Sequence, residues 1–251
     1  MLNITYDHLR QLKLSGMVNA LQNQTEQPST YEGLSFVERL NLLLDHECLD
    51  REHRKQQRLI RAAKFKLACS PQDIDYQHPR GLKKSQVASL LQCDWIPKGQ
   101  NLLLTGPCGS GKSHIACALG HQACLKGYSV KYYRISRLLM DLNQAKADGT
   151  YQKVLKALAK INWLILDDWG LEPLKPSHRN DLLEIMEDRY NLNSTAIISQ
   201  LPTETWHQTI GDNTLADAIL DRLMHNAHRI NLKGESMRKK QENLTHHEHL
   251  S

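Results

Sequence analysis

The chain has 251 residues, 40% of them hydrophobic and 24% charged, with 32 Lys and Arg against 27 Asp and Glu for a formal charge of +5. These values suit one large or two small folded domains at about 150 residues each and exclude a wholly disordered, collagen-like or low-complexity chain. The mild basicity permits a polyanionic partner without demanding one. Apolar runs such as Trp163-Leu164-Ile165-Leu166 fall far short of the ~20 residues that cross a bilayer. The amino-terminal MLNITYDHLRQLK has no continuous apolar stretch of the kind a signal peptide needs. A cytoplasmic location with no membrane partner is expected, and six cysteines without a C-x-x-C pair fit a reducing compartment.

In chain order, Leu9, Leu12, Met17, Ala20 and Leu21 mark a short amphipathic helix in a region that Pro28 closes. Residues 36–66 read as one or two helices. Phe36, Leu40, Leu43, Leu44 and Cys48 hold apolar helical spacing, after which seven Lys and Arg stand against one acid between positions 51 and 66. Arg51, Arg54, Lys55, Arg58 and Arg61 fall on one helical stripe. Like charges on one face repel unless something neutralises them, so the stripe is a candidate for DNA phosphates, with a solvated face as the alternative. Residues 1–68 are therefore expected to form a small all-α domain. Residues 69–98 read as a connector punctuated by Pro71, Pro79, Gly81 and Pro97, with one short helix at 83–91.

From Asn101 the pattern changes. Short apolar runs at 101–105, 129–133, 162–166, 195–199 and 228–232 alternate with amphipathic segments. That alternation predicts an α/β domain over residues 99–237, a parallel five-stranded sheet covered by helices. Two helical patterns, 136–147 and 150–160, stand between the second and third runs, where a simple fold needs one. Lys153, Lys156 and Lys160 share a face of the second, with Lys146 ahead of them, and are either phosphate contacts or a solvated face. Residues 238–251 show no periodicity and are expected to be a disordered tail.

Residues 106–113 read GPCGSGKS, the full G-x-x-x-x-G-K-[ST] pattern, directly after the first apolar run and at the start of a helical segment. Strand, loop and helix in that order are what the motif physically requires. Glycines let consecutive N–H groups face phosphates, and the helix terminus adds its dipole. The cradle comprises Gly106, Pro107, Cys108, Gly109, Ser110, Gly111, Lys112, Ser113 and the adjoining His114. Cys108 serves in it only as a spacer. Lys112 is assigned to the β- and γ-phosphates of ATP, and the Ser113 hydroxyl to Mg²⁺. The third run ends in Asp167-Asp168: Asp167 is assigned to Mg²⁺ and Asp168 to orienting or deprotonating the attacking water. At the end of the fourth run, Gln200, or Ser199 beside it, is placed to sense the γ-phosphate. Arg222 follows on a later helix, either as a finger reaching a neighbouring subunit's phosphates or as a surface ion pair with Asp217 or Asp221. His46-Glu47 begins like a zinc-protease motif, but Asp50 stands where its second His is needed. No N-K-x-D guanine-reading motif is present.

The series GPCGSGKS, LILDDWG, IISQLP and GDNTLADAILDRLMHNAHRINLKGESMR resembles the IstB family, AAA+ ATPases encoded beside the transposase of one group of insertion sequences and related to the DnaC helicase loaders. The similarity extends upstream through RLIRAAKFK and IDYQHPRGL to LRQLKLSGM. The resemblance implies an ATPase that oligomerises on duplex DNA largely without regard to sequence, delivers that DNA to a partner transposase of the IstA type and stimulates it, with hydrolysis controlling disassembly. It places Lys112 and Ser113 on phosphate and Mg²⁺, Asp167 and Asp168 in the acidic motif, Gln200 at the sensor position and Arg222 at the trans-acting finger. Arg238 resembles a second sensor arginine. The extra helix at 150–160 resembles the one that lines a channel in the initiator and loader clade.

Two departures stand out. Asp168 is one methylene shorter than the usual catalytic Glu, which predicts slow hydrolysis, and no C-terminal lid is expected after the last strand. Oligomer contacts are then expected from the amino-terminal module. A replicative helicase loader of the DnaC type is the alternative function, distinguished by preference for single-stranded DNA. A small-molecule kinase is disfavoured by the paired acids and the basic helix.

Overall fold

The computed structural model describes residues 2–234 and 236–237. The chain divides into two compact units, Met1–Arg58 and Leu59–Ser251. Arg238 and the expected 238–251 tail lie outside the described residues.

The first unit is all-α. In place of the one expected amphipathic helix there are two, α1 (Leu2–Gln11) and α2 (Ser15–Glu26), separated at Lys13, whose φ of 60° breaks helical geometry. Pro28 opens a short helix, α3 (Pro28–Tyr31), at its first turn instead of closing the region. The apolar-then-cationic stretch is a single helix, α4 (Phe36–Ala63), ended at Lys64 by a φ of 54°. Gly16 lets α2 lie directly on α4, since a Cβ there would stand 2.7 Å from the Glu47 Cα and the His46 carbonyl. Glu47, 5% exposed, accepts the main-chain N–H of Gly16 at 2.8 Å and of Met17 at 3.2 Å. It thereby satisfies donors at the α2 terminus that no helical carbonyl reaches.

The second unit is a parallel sheet between two helical layers. Its elements in order are the end of α4, α5 (Lys84–Leu91), β1 (Asn101–Thr105), α6 (Lys112–Leu125), β2 (Val130–Arg134), α7 (Ile135–Ala147), α8 (Tyr151–Ala159), β3 (Trp163–Trp169), α9 (Pro176–Arg189), β4 (Ser194–Ser199), α10 (Trp206–Ile210), α11 (Asn213–Met224) and β5 (Ala227–Asn231). The strand order is β2-β3-β4-β1-β5, with every pairing parallel. The five strands match the five expected apolar runs within two or three residues, and α7 and α8 are the two expected helices between β2 and β3. The short α10 has no counterpart among the expected elements.

Side chains alternate across the sheet with the strand period of two. Leu102, Leu104, Trp163, Ile165, Ala196 and Ile198 meet α6 and its neighbours on one face, while Leu103, Leu164, Leu166 and Ile197 meet α7 through α11 on the other. The segment expected as a connector is part of this packing. Ile74, Val87, Leu90, Cys93, Trp95 and Ile96 are buried in the first core, and Trp95 meets Trp163 edge-on at 4.9 Å between ring centres. Its prolines therefore shape a docked strap and do not mark a free linker. Arg189, 1% exposed, staples the second layer by donating to the carbonyls of Leu158, Ile161 and Ser194 and to Thr195 Oγ1. No described helix is long and apolar enough to cross a membrane.

Candidate nucleotide site

β1 delivers the phosphate loop and β3 the acid pair, and β4 lies between these two strands, so both carboxyl ends open on one edge of the sheet. Ligands in open α/β sheets bind at that edge. The loop turns on Gly106, Gly109 and Gly111, with φ of 144°, 77° and 89°, conformations that a Cβ would strain. Gly111 also leaves room behind the loop, where a Cβ would meet the Arg80 guanidinium. It is the N-cap of α6, whose first-turn N–H groups have no intrahelical acceptors and face outward toward any anion.

Lys112 is 7% exposed, and its ammonium donates to the carbonyls of Gly106 at 2.7 Å and Pro107 at 2.8 Å. Burial lowers its proton affinity, partly offset by Asp167 and Asp168 nearby. A buried cation held only by neutral carbonyls of its own loop is suited to exchange them for phosphate oxygens. The Ser110 hydroxyl, inside the loop, is fully buried without a hydrogen-bond partner among the described residues. His114 sits in the first helical turn, where burial holds its imidazole below the usual value.

Across the site, Ser113 Oγ donates to Asp167 Oδ2 at 2.6 Å. The same oxygen accepts the Tyr132 hydroxyl from β2, and Asp167 Oδ1 accepts the Asp168 N–H at 2.8 Å. Burial first, then the bond to Asp167, keeps the Tyr132 phenol protonated far above its ordinary range. Lys66 Nζ stands 3.7 Å from Asp167 Oδ2. A hydroxyl and a carboxylate converging at a helix terminus are hard oxygen donors of the kind Mg²⁺ accepts while retaining most of its waters, so the residues present fit that ion.

Asp168 has a φ of 63°, and the β3–β4 register slips between Leu166 and Trp169, so the acid pair lies in a bulge. Bulges re-aim side chains beside functional sites. Here Asp168 turns out of the ladder toward solvent, 3.5 Å from the Arg134 guanidinium.

The sensor alternatives separate. Ser199 is buried, donating to the Trp169 carbonyl at 2.8 Å and accepting the Leu201 N–H at 3.0 Å, so it locks the turn after β4. Gln200 is exposed at that same strand end. Arg222 pairs with Glu187, not with Asp217 or Asp221, and lies over the Tyr190 ring at 5.9 Å. Its carbonyl accepts from Asn101, the first residue of β1, whereas the phosphate loop follows the last. A five-residue strand spans about 17 Å, so Arg222 does not join its own chain's site.

The remaining candidates lie elsewhere. Arg51 and Arg54 are neutralised in part by Glu47, and Arg54 also by Asp50 at 3.1 Å. Lys55, Arg58 and Arg61 are exposed, as are Lys153 and Lys156 on α8 and Lys160 at its C-cap. Lys146 is tied to buried Asp181 at 2.5 Å.

Three residues next to the site have no role there assigned from the sequence. Tyr132 and Lys66 reach Asp167 from other elements. Arg80, 1% exposed, donates to the Ser110 carbonyl at 2.9 Å and the Asp75 carbonyl at 2.6 Å, bracing the phosphate loop from behind. The HPRG run that contains Arg80 is visible in the chain, but nothing local in it points to the loop.

Strand order, loop and acid pair together define a AAA+ P-loop nucleoside triphosphatase fold. Solved structures agree on that fold: AMPPCP-bound DnaA from Aquifex aeolicus (TM-score 0.58, 17% identity, 73% of this chain and 56% of that one) and the DnaC helicase loader (TM-score 0.52, 20% identity, 62% and 93%). The chain belongs to the IstB-like ATP binding protein family, whose pattern it matches over residues 7–245. Among curated relatives, the insertion sequence ATP-binding protein y4pL of Sinorhizobium fredii is 48% identical over 94% of this chain and 96% of its own length. The IS1162 ATP-binding protein of Pseudomonas fluorescens is 48% identical over 80% and 87%.

The brace behind the loop is directly testable. Arg80→Met keeps the apolar stem but leaves two carbonyls without their donor, a loss of ~1–2 kcal/mol. ATP affinity measured by titration calorimetry should fall roughly tenfold; unchanged affinity would mean that the loop holds its shape unaided.

Proposed function

We propose that this protein is the ATP-dependent, DNA-binding helper of an insertion sequence's transposition. In the ATP state it assembles as a homo-oligomer on duplex DNA of any sequence, presents that DNA to the element's transposase and stimulates it, and disassembles after hydrolysis. The observation that carries this reading is near-full-length similarity to insertion sequence ATP-binding proteins in a chain whose loop and acid pair meet at one sheet edge.

Each side chain then has a task. Lys112 leaves the Gly106 and Pro107 carbonyls for the β- and γ-phosphates. Ser113 and Asp167 hold Mg²⁺, which when bound neutralises charge on the phosphates. Asp168 orients the attacking water, and its short side chain makes turnover slow. Gln200 reads the γ-phosphate. Arg222, exchanging Glu187 for a neighbour's γ-phosphate, makes assembly depend on ATP, so that hydrolysis removes the bond that holds subunits together. Arg238 is assigned to the nucleotide as a second sensor.

The exposed cations Lys55, Arg58 and Arg61 on α4, and Lys153, Lys156 and Lys160 on α8 and its C-cap, are the groups that meet DNA phosphates, with Arg51 and Arg54 contributing what their acidic partners leave. The amino-terminal unit exposes Phe36 (77%), Val37 (61%) and Leu49 (64%). That apolar surface supports its use in binding other chains. Fold likeness to the DnaC loader keeps a helicase-loading role as the second reading.

Mobility shift and sedimentation on an arbitrary duplex decide between them. Large sequence-insensitive complexes are expected with ATP and not with ADP, and Arg222→Ala should bind ATP yet stay unassembled. Single-strand binding without duplex binding would favour the loader instead. In the same assay, neutralising Lys55, Arg58 and Arg61 should flatten the salt dependence by up to ~0.9 log unit for each DNA phosphate that is no longer neutralised. An unchanged slope would return that face to solvent.

A further inference from the structure

A shorter strap, residues 64–69 between α4 and the docked 69–98 segment, runs past the Asp167 carboxylate. Lys64 turns the chain with a φ of 54°, and Phe65 then packs where α6 has no side chain: a Cβ on Gly120 would stand 2.5 Å from its ring. Cys69 Sγ donates to the His114 carbonyl at 3.4 Å, one residue beyond Ser113. The neighbouring Cys69 side chain, with the main chain of Leu67 and Lys66, holds the Cys117 thiol below its ordinary value, against burial. Four residues of the strap thus touch the helix that begins at the phosphate loop.

Lys66 is the member that enters the site. Its ammonium lies 3.7 Å from Asp167 Oδ2 and, among the described residues, is the only cation within ion-pair distance of that carboxylate. The lysine side chain is 28% exposed and the aspartate 3%. Oδ2 already accepts from Ser113 and Tyr132, so a divalent ion at Ser113 would bring two positive charges against the ammonium on one oxygen. The repulsion is severe at such range in a half-buried setting. The strap also borders open space. A cleft of about 530 Å³ opens between Ile60, Phe65, Leu67 and Asp73 on one side and His121 of α6 on the other, and Leu67 is 40% exposed.

We propose that Lys66 is a resident counter-ion of Asp167 that Mg²⁺ displaces when metal–nucleotide binds, so that the strap and the metal hold this carboxylate in alternation. The proposal rests on the assignment of Ser113 and Asp167 to the metal. Lys66 is a positioning residue: metal-free, it keeps the buried Asp167 charge compensated and the strap seated; with metal bound, the strap is released from the site. Linkage makes the effect reciprocal, a seated strap weakening metal binding by the same factor that metal unseats the strap. The strap continues directly from the cationic end of α4, with Arg58 and Arg61 three to six residues before Lys64, which joins nucleotide state to the helix proposed for DNA.

The test is a Mg²⁺ titration of fluorescent methylanthraniloyl-ATP binding to the full chain. Lys66→Met should lower the Mg²⁺ midpoint about fivefold or more, Lys66→Gln should do the same, and Lys66→Arg should keep the wild-type midpoint. Hydrogen exchange of wild-type amides 64–69, at saturating nucleotide, should quicken when Mg²⁺ is added. A midpoint unchanged or raised in Lys66→Met and Lys66→Gln, or strap amides slowed by Mg²⁺, would overturn the proposal. Wild-type protein that binds nucleotide with no Mg²⁺ dependence at all would overturn the metal assignment beneath it.

Discussion

The hydrogen bond from Ser113 to Asp167 is the joint on which the site depends. It ties the first turn of α6, and so the phosphate loop, to the end of the buried strand β3, across the intervening β4. A carboxylate 3% exposed at such a point is costly unless donors surround it. Here Ser113, Tyr132, the Asp168 N–H and Lys66 do so. The same set explains why the neighbouring backbone can be irregular: the bulge and the positive φ of Asp168 persist because both flanks are fixed by the ladder and by these bonds.

What is legible in the sequence is what is written contiguously. GPCGSGKS after an apolar run specifies strand, glycine turn and helix within thirteen residues, and the five runs specify the parallel sheet, because strands buried on both faces are apolar throughout. The Asp167-Asp168 pair follows from its place at the end of such a run. Arg80, Tyr132 and Lys66 are not legible, because each acts on a residue thirty or more positions away and none carries a local pattern. The docked strap at 69–98 is hidden for a related reason. Proline and glycine mark where the chain turns, but whether a turning segment is free or docked depends on apolar residues such as Trp95 finding a buried partner such as Trp163 on β3.

Charge patterns are the least decidable feature. A stripe of like charges reads identically whether its partners are phosphates, its own acids or water, and on this helix part of the stripe meets its own acids while the rest is exposed. Glu47 is drawn onto Arg51 and Arg54 while also capping α2, whereas Lys55, Arg58 and Arg61 project to solvent. Arg222 is a similar case. In the single chain it pairs with Glu187, and its carbonyl accepts from Asn101 at the start of β1, away from the phosphate loop at that strand's other end.

The central claim is that Ser113 and Asp167 form one metal-bearing pair at the phosphate loop. Nucleotide binding by Asp167→Asn, compared with and without Mg²⁺, tests it most directly, since the substitution keeps the side chain's shape and removes its charge. Metal-free ATP affinity close to wild type, with the Mg²⁺ enhancement abolished, is the predicted result. A variant that retains the full enhancement would contradict the claim.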